Sequence, residues 1–364
     1  MKKLTLTLFL ALIGSVGIAQ ETKIDSLRLG LEKAKTDSAR HNFCVDLYFY
    51  YTEISRDSAL FYANKRLGLA RQNDFKLAEA FAYVNIGYQY SKMGRYAEAF
   101  QNLLLSLKIT EDPKNEEKKG WRTSQFPISG KERLSNLAMA HYNMGILMHL
   151  TENPKKEVFH LKEALKIGKQ INHIERQMVS NMRLADAYLK MDKPDSALFF
   201  AKQADFFSKN PAFRGFYRGL NISYIGDTYF KKGDIKLAKK YYLEGLSLST
   251  EKNLKASIAE INHKLIQIYF KFNQKDSVLN VAIKNLEIIK SLRGESDLIT
   301  NIGTGYEAVY LSYKLNNLVD SAYKYQELTL IAKDSLYKIR IKNLADFQSL
   351  SLEEAMRLES LEKE

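Results

Sequence analysis

The apolar positions of the chain form a ladder with a nearly fixed interval. Tyr50, Tyr90, Tyr188, Tyr229, Tyr269 and Tyr313 are each followed nine residues later by a small or β-branched residue: Ala59, Ala99, Ala197, Ala238, Val278 and Ala322. Four residues after five of these tyrosines stands Gly94, Asp192, Gly233, Asn273 or Asn317, types that tolerate the left-handed backbone in which a helix commonly ends. In the first copy Ile54 holds that place, and Ser55 is expected to cap the following helix instead. Each unit therefore reads helix, tight turn, helix.

Three residues before the tyrosine the chain is small in several copies (Gly87, Ala185, Gly226), and Gly145 holds that place in a seventh copy whose aromatic is replaced by Met148. A small residue facing an alanine lets two antiparallel helices approach closely, with the tyrosine expected to fill the space toward the next pair. The step from Tyr90 to Met148 is about 18 residues longer than the step from Met148 to Tyr188, which assigns the excess to an insert over 111–130. That insert carries Trp121, Pro113 and Pro127 and no helical period until Lys131. It reads as a long loop, with Trp121 as the candidate anchor for a ligand or partner.

Composition agrees with helices. Five Pro and 18 Gly in 364 residues are too few for an all-β chain with its frequent turns, and a hydrophobic share of 45% excludes disorder throughout. Cys44 is the only cysteine, so no internal disulfide forms, and the scattered histidines show no zinc spacing. The N-terminus places Lys2 and Lys3 before an apolar run of about 13 residues and ends Gly17-Ile18-Ala19. This pattern predicts a signal peptide over 1–19, cleaved after Ala19, and an exported, periplasmic protein; the run is too short to span a bilayer. Losing the two lysines lowers the formal charge from +13 to +11. The basic pairs (Lys118-Lys119, Lys155-Lys156, Lys231-Lys232, Lys239-Lys240) are spread out, and export makes nucleic acid an unexpected partner.

The segments 82–109 and 222–248, and the repeated Asp-Ser-Ala-Leu at 57–60 and 195–198, resemble the tetratricopeptide repeat family in its variant with a period near 40 residues. The resemblance implies an all-α, right-handed superhelical solenoid of about seven helix-turn-helix repeats over 37–333, after an N-terminal cap over 20–36. The copy at 134–169 departs most, with Met148 and Glu157 in the aromatic and alanine places. From Asp334 the chain reads as a separate long helix over 334–364, with a possible coiled-coil seam at Leu344, Phe347, Leu358 and Leu361, broken by Ser351 and Glu354. The order of signal peptide, 40-residue repeats and charged helix is similar to the exported sensor region of membrane-bound histidine kinases and helix-turn-helix regulators. That likeness implies a sensory input module, a homodimer through the terminal helix and a membrane tether beyond residue 364; a stand-alone adaptor in an envelope complex is the alternative.

No nucleophile with its base, metal cluster or phosphate loop stands out, so no catalytic residue, cofactor or metal is expected. Gly303-Thr304-Gly305 with Ala308 loosely matches a dinucleotide fingerprint, but the repeat period places it on a helix. His141 and His149, eight apart, with His160 on the next helix, read as polar contacts. In this family the first helix of each pair lines the concave groove, so a protein or peptide ligand should meet residues at fixed steps from the small position. These are Tyr88, Asp186 and Asp227 one residue after it, Asn143, Arg183 and Lys264 two before it, and Tyr142 and His263 three before it. Both signs occur among them, which argues against a dedicated carboxylate or phosphate clamp.

Overall fold

A computed structural model describes residues 24–52, 54–116, 121–122, 131–213, 215–292 and 302–363. The expected signal peptide, most of the insert, and the side chains of Leu358 and Leu361 lie outside the described residues. Helix α1 covers 24–33. Seven antiparallel pairs follow: α2 (Asp37–Tyr51) with α3 (Arg56–Gln72), α4 (Lys76–Lys92) with α5 (Tyr96–Glu111), and α6 (Glu132–Leu150) with α7 (Pro154–Gln170). Next come α8 (Ile174–Lys190) with α9 (Pro194–Ser208), α10 (Arg218–Lys231) with α11 (Ile235–Glu251), α12 (Lys255–Lys271) with α13 (Lys275–Ser291), and α14 (Ile302–Leu315) with α15 (Val319–Lys363). No strand occurs among the described residues.

The turns follow from residue type. Gly94, Asp192, Gly233, Asn273 and Asn317 all have positive φ, as has Glu152 in the copy that carries Met148. In each copy the N–H one residue further on donates to the carbonyl of the ladder residue: Arg95 to Tyr90, Lys193 to Tyr188, Asp234 to Tyr229, Gln274 to Tyr269 and Leu318 to Tyr313, all at 2.9–3.0 Å. This closes the helix end and points the chain back along the second helix. Ser55 caps α3, its side chain accepting from Ser58 N. Pro154 and Pro194 open α7 and α9, where their missing N–H costs little.

The small residues set the spacing inside each pair. A Cβ at Gly87 would come within 2.8 Å of Leu103 Cγ and 3.2 Å of the Ala99 carbonyl, and one at Gly226 within 2.6 Å of the Tyr242 ring and 3.2 Å of the Ala238 carbonyl. The facing Ala59, Ala99, Ala197, Ala238 and Val278 are fully buried. The tyrosines follow the expectation in part. They are mostly half-buried; Tyr90, Tyr229 and Tyr269 pack into clusters shared with a neighbouring pair, and three of the six stack on an aromatic twelve residues ahead in their own pair, Tyr188 on Phe200 (5.3 Å), Tyr229 on Tyr241 (5.5 Å) and Tyr313 on Tyr325 (5.6 Å).

First helices touch one another down the array, α4 with α6, α6 with α8, α8 with α10, α10 with α12 and α12 with α14, which puts them on the inner side. The core is a succession of apolar clusters, each shared by neighbouring pairs, as expected of a solenoid. Gly303 and Gly305 lie buried in α14, where Gly305 faces Leu286 and Ile289; they serve packing.

Two elements depart from the expectation. No helix starts at 334: α15 is one 45-residue helix from Val319 to Lys363. Its distal half lies on α5, where Phe347 is 4% exposed, meets the Phe100 ring edge-on at 5.4 Å and is joined by Leu344 and Leu350. The seam residues Leu344 and Phe347, expected to pair with a second copy, thus pack within their own chain. In the insert, Trp121 lies against His41 (5.0 Å) and Phe75 (4.6 Å), while Arg122 pairs with Asp46 at 2.7 Å and its carbonyl meets His41 Nε2 at 2.9 Å. Trp121 fastens the insert to the solenoid.

Candidate binding groove

The inner helices α6, α8, α10 and α12 bring together most of the residues expected in the groove. At the α6–α8 step, His149 Nδ1 lies 2.9 Å from Glu157 Oε1 and 3.6 Å from Asp186 Oδ2, and Lys190 Nζ approaches His149 Nε2 at 2.9 Å. Glu157, which replaces the ladder alanine of this pair, is 2% exposed, so the departure from the repeat is a buried carboxylate satisfied by a histidine. Beside it, Tyr142 favours the charge of Arg183, and Arg176 lies over the Tyr142 ring at 4.6 Å. Arg176 and Arg183 are seven residues apart on α8 and flank Tyr142 from one helix face.

At the α10–α12 step, Lys264 Nζ meets Asp227 Oδ2 at 2.7 Å, Ser223 Oγ at 2.9 Å and Glu260 Oε1 at 3.3 Å, and lies 4.4 Å from the Tyr224 ring centre. Tyr242 donates to the other oxygen of Asp227 at 2.7 Å. Burial opposes charge on Lys264, yet Asp227 and Glu260 hold its pKa above the ordinary lysine value. Burial likewise lowers Arg183, but Tyr142, Tyr224 and Asp186 hold it above the usual arginine value. Asp227 and Lys264 therefore satisfy each other and tie α10, α11 and α12 together.

Other expected contacts stay local. Asn143 donates to Met139 O of its own helix (3.0 Å), His263 faces Gln267 of its own helix (3.2 Å), and Tyr88 on α4 lies under Lys92 (5.7 Å), two pairs away from the α8–α12 cluster. What the groove leaves open are guanidinium atoms: the Nε atoms of Arg176 and Arg183 are buried without a hydrogen-bond partner among the described residues. The fixed-step argument missed Tyr224, which stands two before Gly226 as Arg183 stands two before Ala185, and it missed Arg176 and Glu260, which lie further up their helices. No group of three or more His, Cys, Asp or Glu among the described residues is placed to hold a metal ion, and no described helix is long and apolar enough to cross a membrane.

The comparisons agree with this architecture. A family described as SusR N-terminal TPR domain matches residues 17–118, and one described as tetratricopeptide repeat matches 225–252, so the chain carries tetratricopeptide repeats over these segments and its helix pairs have the same architecture. No curated protein matches the sequence. Among solved structures, the chain is similar to a Rap protein complexed with competence and sporulation factor (TM-score 0.65, 11% identity, covering 88% of this chain and 81% of that one). It is also similar to the apo form of RapI (0.59, 12%, 82% and 99%) and to the Rap conjugation gene regulator of the plasmid pLS20 in complex with the Phr* peptide (0.59, 10%, 83% and 75%). At these identities the likeness is one of fold.

Proposed function

We propose that this tetratricopeptide-repeat chain is an exported, non-catalytic scaffold that binds a protein or peptide along its inner groove and serves a signalling system as the input module. The carrying observation is the row of Arg176 and Arg183 on the inner face of α8 beside Tyr142 and Tyr224; both are only partly covered, so their guanidinium N–H groups can meet a ligand carbonyl or carboxylate, while their Nε atoms, like those of Arg66 and Arg218, are buried without a partner among the described residues. Two of the structural neighbours are complexes, one with competence and sporulation factor and one with the Phr* peptide, which supports a protein or peptide ligand here. Export rests on the N-terminal pattern of residues 1–19. The stand-alone adaptor draws support from α15: a relay helix needs a face free to move against a partner, and Phe347 of this helix is packed on α5.

Peptides selected from a random display library against the chain test the groove. Arg183→Ala and Arg176→Ala should each weaken the selected peptide at least about tenfold, the range expected for a charge-assisted hydrogen bond, with unchanged melting. Peptides whose affinity ignores both substitutions would sink the groove reading. A fusion of residues 1–40 to alkaline phosphatase should be active outside the cytoplasm; an inactive fusion would sink export.

A further inference from the structure

The outer helices carry a pattern that the groove does not use. On α7 the exposed row runs Lys155, Phe159, Lys162, Lys166, Lys169, at steps of four and three, and on α9 it runs Asp195, Phe199, Lys202, Phe206, with Lys209 at its C-terminal cap. The row continues on α11 with Lys236, Lys240 and Leu243. Such steps keep one helix face outward. Phe159, Phe199 and Phe206 are 57%, 59% and 67% exposed, far more than aromatic rings usually are. Each meets the next residue's ring edge-on: His160 (5.0 Å), Phe200 (5.1 Å) and Phe207 (5.4 Å). Lys162, Lys166, Lys169 and Gln170 with Leu165 form one open stretch of the α7 surface.

Two of these lysines are paired, Lys166 with Glu163 at 3.6 Å and Lys209 with Asp205 at 2.9 Å, and Asp195 turns to Lys232 of α10; Lys155, Lys162, Lys169, Lys202, Lys236 and Lys240 make no ion pair among the described residues. The pattern recurs on α3, where Phe61 is 60% exposed and meets the Tyr62 ring edge-on at 5.1 Å, but it is missing from α13, whose outward row is Asn280, Lys284 and Glu287.

We propose that the outer face of α7, α9 and α11 is a docking surface for an anionic lipid bilayer, with Phe159, Phe199 and Phe206 entering the headgroup boundary and the lysines meeting lipid phosphates. Exposed apolar rings interleaved with lysines are the chemistry of interfacial binding, in which apolar burial and attraction to anionic lipid add. A convex face with projecting rings suits a flat, yielding partner. Single-stranded nucleic acid calls instead for a groove that tracks the backbone.

Cosedimentation of the full chain with phosphatidylcholine vesicles, with and without phosphatidylglycerol, tests this. The N-terminal segment, with Lys2 and Lys3 before its apolar run, gives a background common to every variant, so the comparison between variants on the same vesicle decides. Binding should be at least about tenfold tighter to the phosphatidylglycerol vesicles and fall steeply as sodium chloride rises through the range where the Debye length shrinks below about 10 Å. The triple variant Phe159→Ser, Phe199→Ser, Phe206→Ser and the quadruple variant Lys162→Gln, Lys166→Gln, Lys169→Gln, Lys202→Gln should each lose about tenfold, with helical circular dichroism retained. Equal binding to both vesicles, variants that bind like the parent, or tighter binding to single-stranded DNA at the same salt would each overturn the proposal. It stands apart from the groove: the peptide selected there should bind the triple variant as it binds the parent.

Discussion

At the residue scale, buried polar groups decide how this protein responds to acid and to substitution. His141 Nδ1 lies 3.0 Å from His160 Nδ1, a contact that needs one ring donating and the other accepting, so at most one can carry a charge, and burial opposes charge on both. Burial and then the His141 ring lower His160 to about 3, burial and then Arg66 lower His41 to about 4, and burial followed by Arg176 lowers His173 to about 4. These histidines bind protons more readily unfolded, near 6.5, than folded. Their stabilising contribution is therefore complete above that value and is lost as pH falls toward 4, at up to about 1.4 kcal/mol per pH unit for each. Urea midpoints should fall between pH 7 and pH 5, and less so for His160→Asn; a flat profile would count against buried neutral histidines. Lys264→Met should cost about 2–3 kcal/mol, less than the 3–5 kcal/mol of a fully buried broken pair, because Asp227 keeps the Tyr242 hydrogen bond and some solvent. If Asp227→Asn restores much of that loss in the double variant, the pair is structural, as its mutual satisfaction indicates. The sequence placed Asp227 and Lys264 in the groove by their steps. That they answer each other was hidden, because the bond spans 37 residues and depends on how neighbouring pairs are offset.

At the element scale, the turns and close approaches were legible because each depends on one residue type at one place, a left-handed residue at Asp192 or Asn273, a missing Cβ at Gly87 or Gly226. The aromatic stacking was legible in principle, since Phe200, Tyr241 and Tyr325 all stand twelve residues after a ladder tyrosine. The destination of α15 was not: Leu344 and Phe347 read equally well as a seam for another copy, and nothing local names α5 as the partner. Phe347→Ala should empty the slot beside Phe100. Burying a phenylalanine is worth roughly 3–5 kcal/mol, but a terminal helix can come away while the repeats stay folded. The expected result is loss of amide protection over 340–352 with little change in the main melting transition. Light scattering of the same variant checks the alternative: a dimer that appears only after Phe347→Ala would mean that the freed face can serve a second copy.

At the scale of the whole molecule, neighbours in the array hold one another, so a defect should remain local, yet α15 links the last pair to the second. Gly226→Val probes this. The added side chain meets the Tyr242 ring and the Ala238 carbonyl, a backbone atom that cannot give way cheaply, and overpacking of this kind costs about 1–3 kcal/mol. In a chain cut after residue 333 the damage should stay near α10 and α11, and urea unfolding should separate into two steps, the pairs before the defect outlasting those after it. In the full chain the seventh pair is joined to the second through Phe347 and Leu344, and to the third through Lys156, whose Nζ is 3.4 Å from Ser351 Oγ. Pairs beyond the defect then cannot come apart without also giving up the α5 contact, and unfolding should stay closer to a single step. The same two-step curve with and without residues 334–364 would show that α15 rests on α5 without coupling the ends of the array.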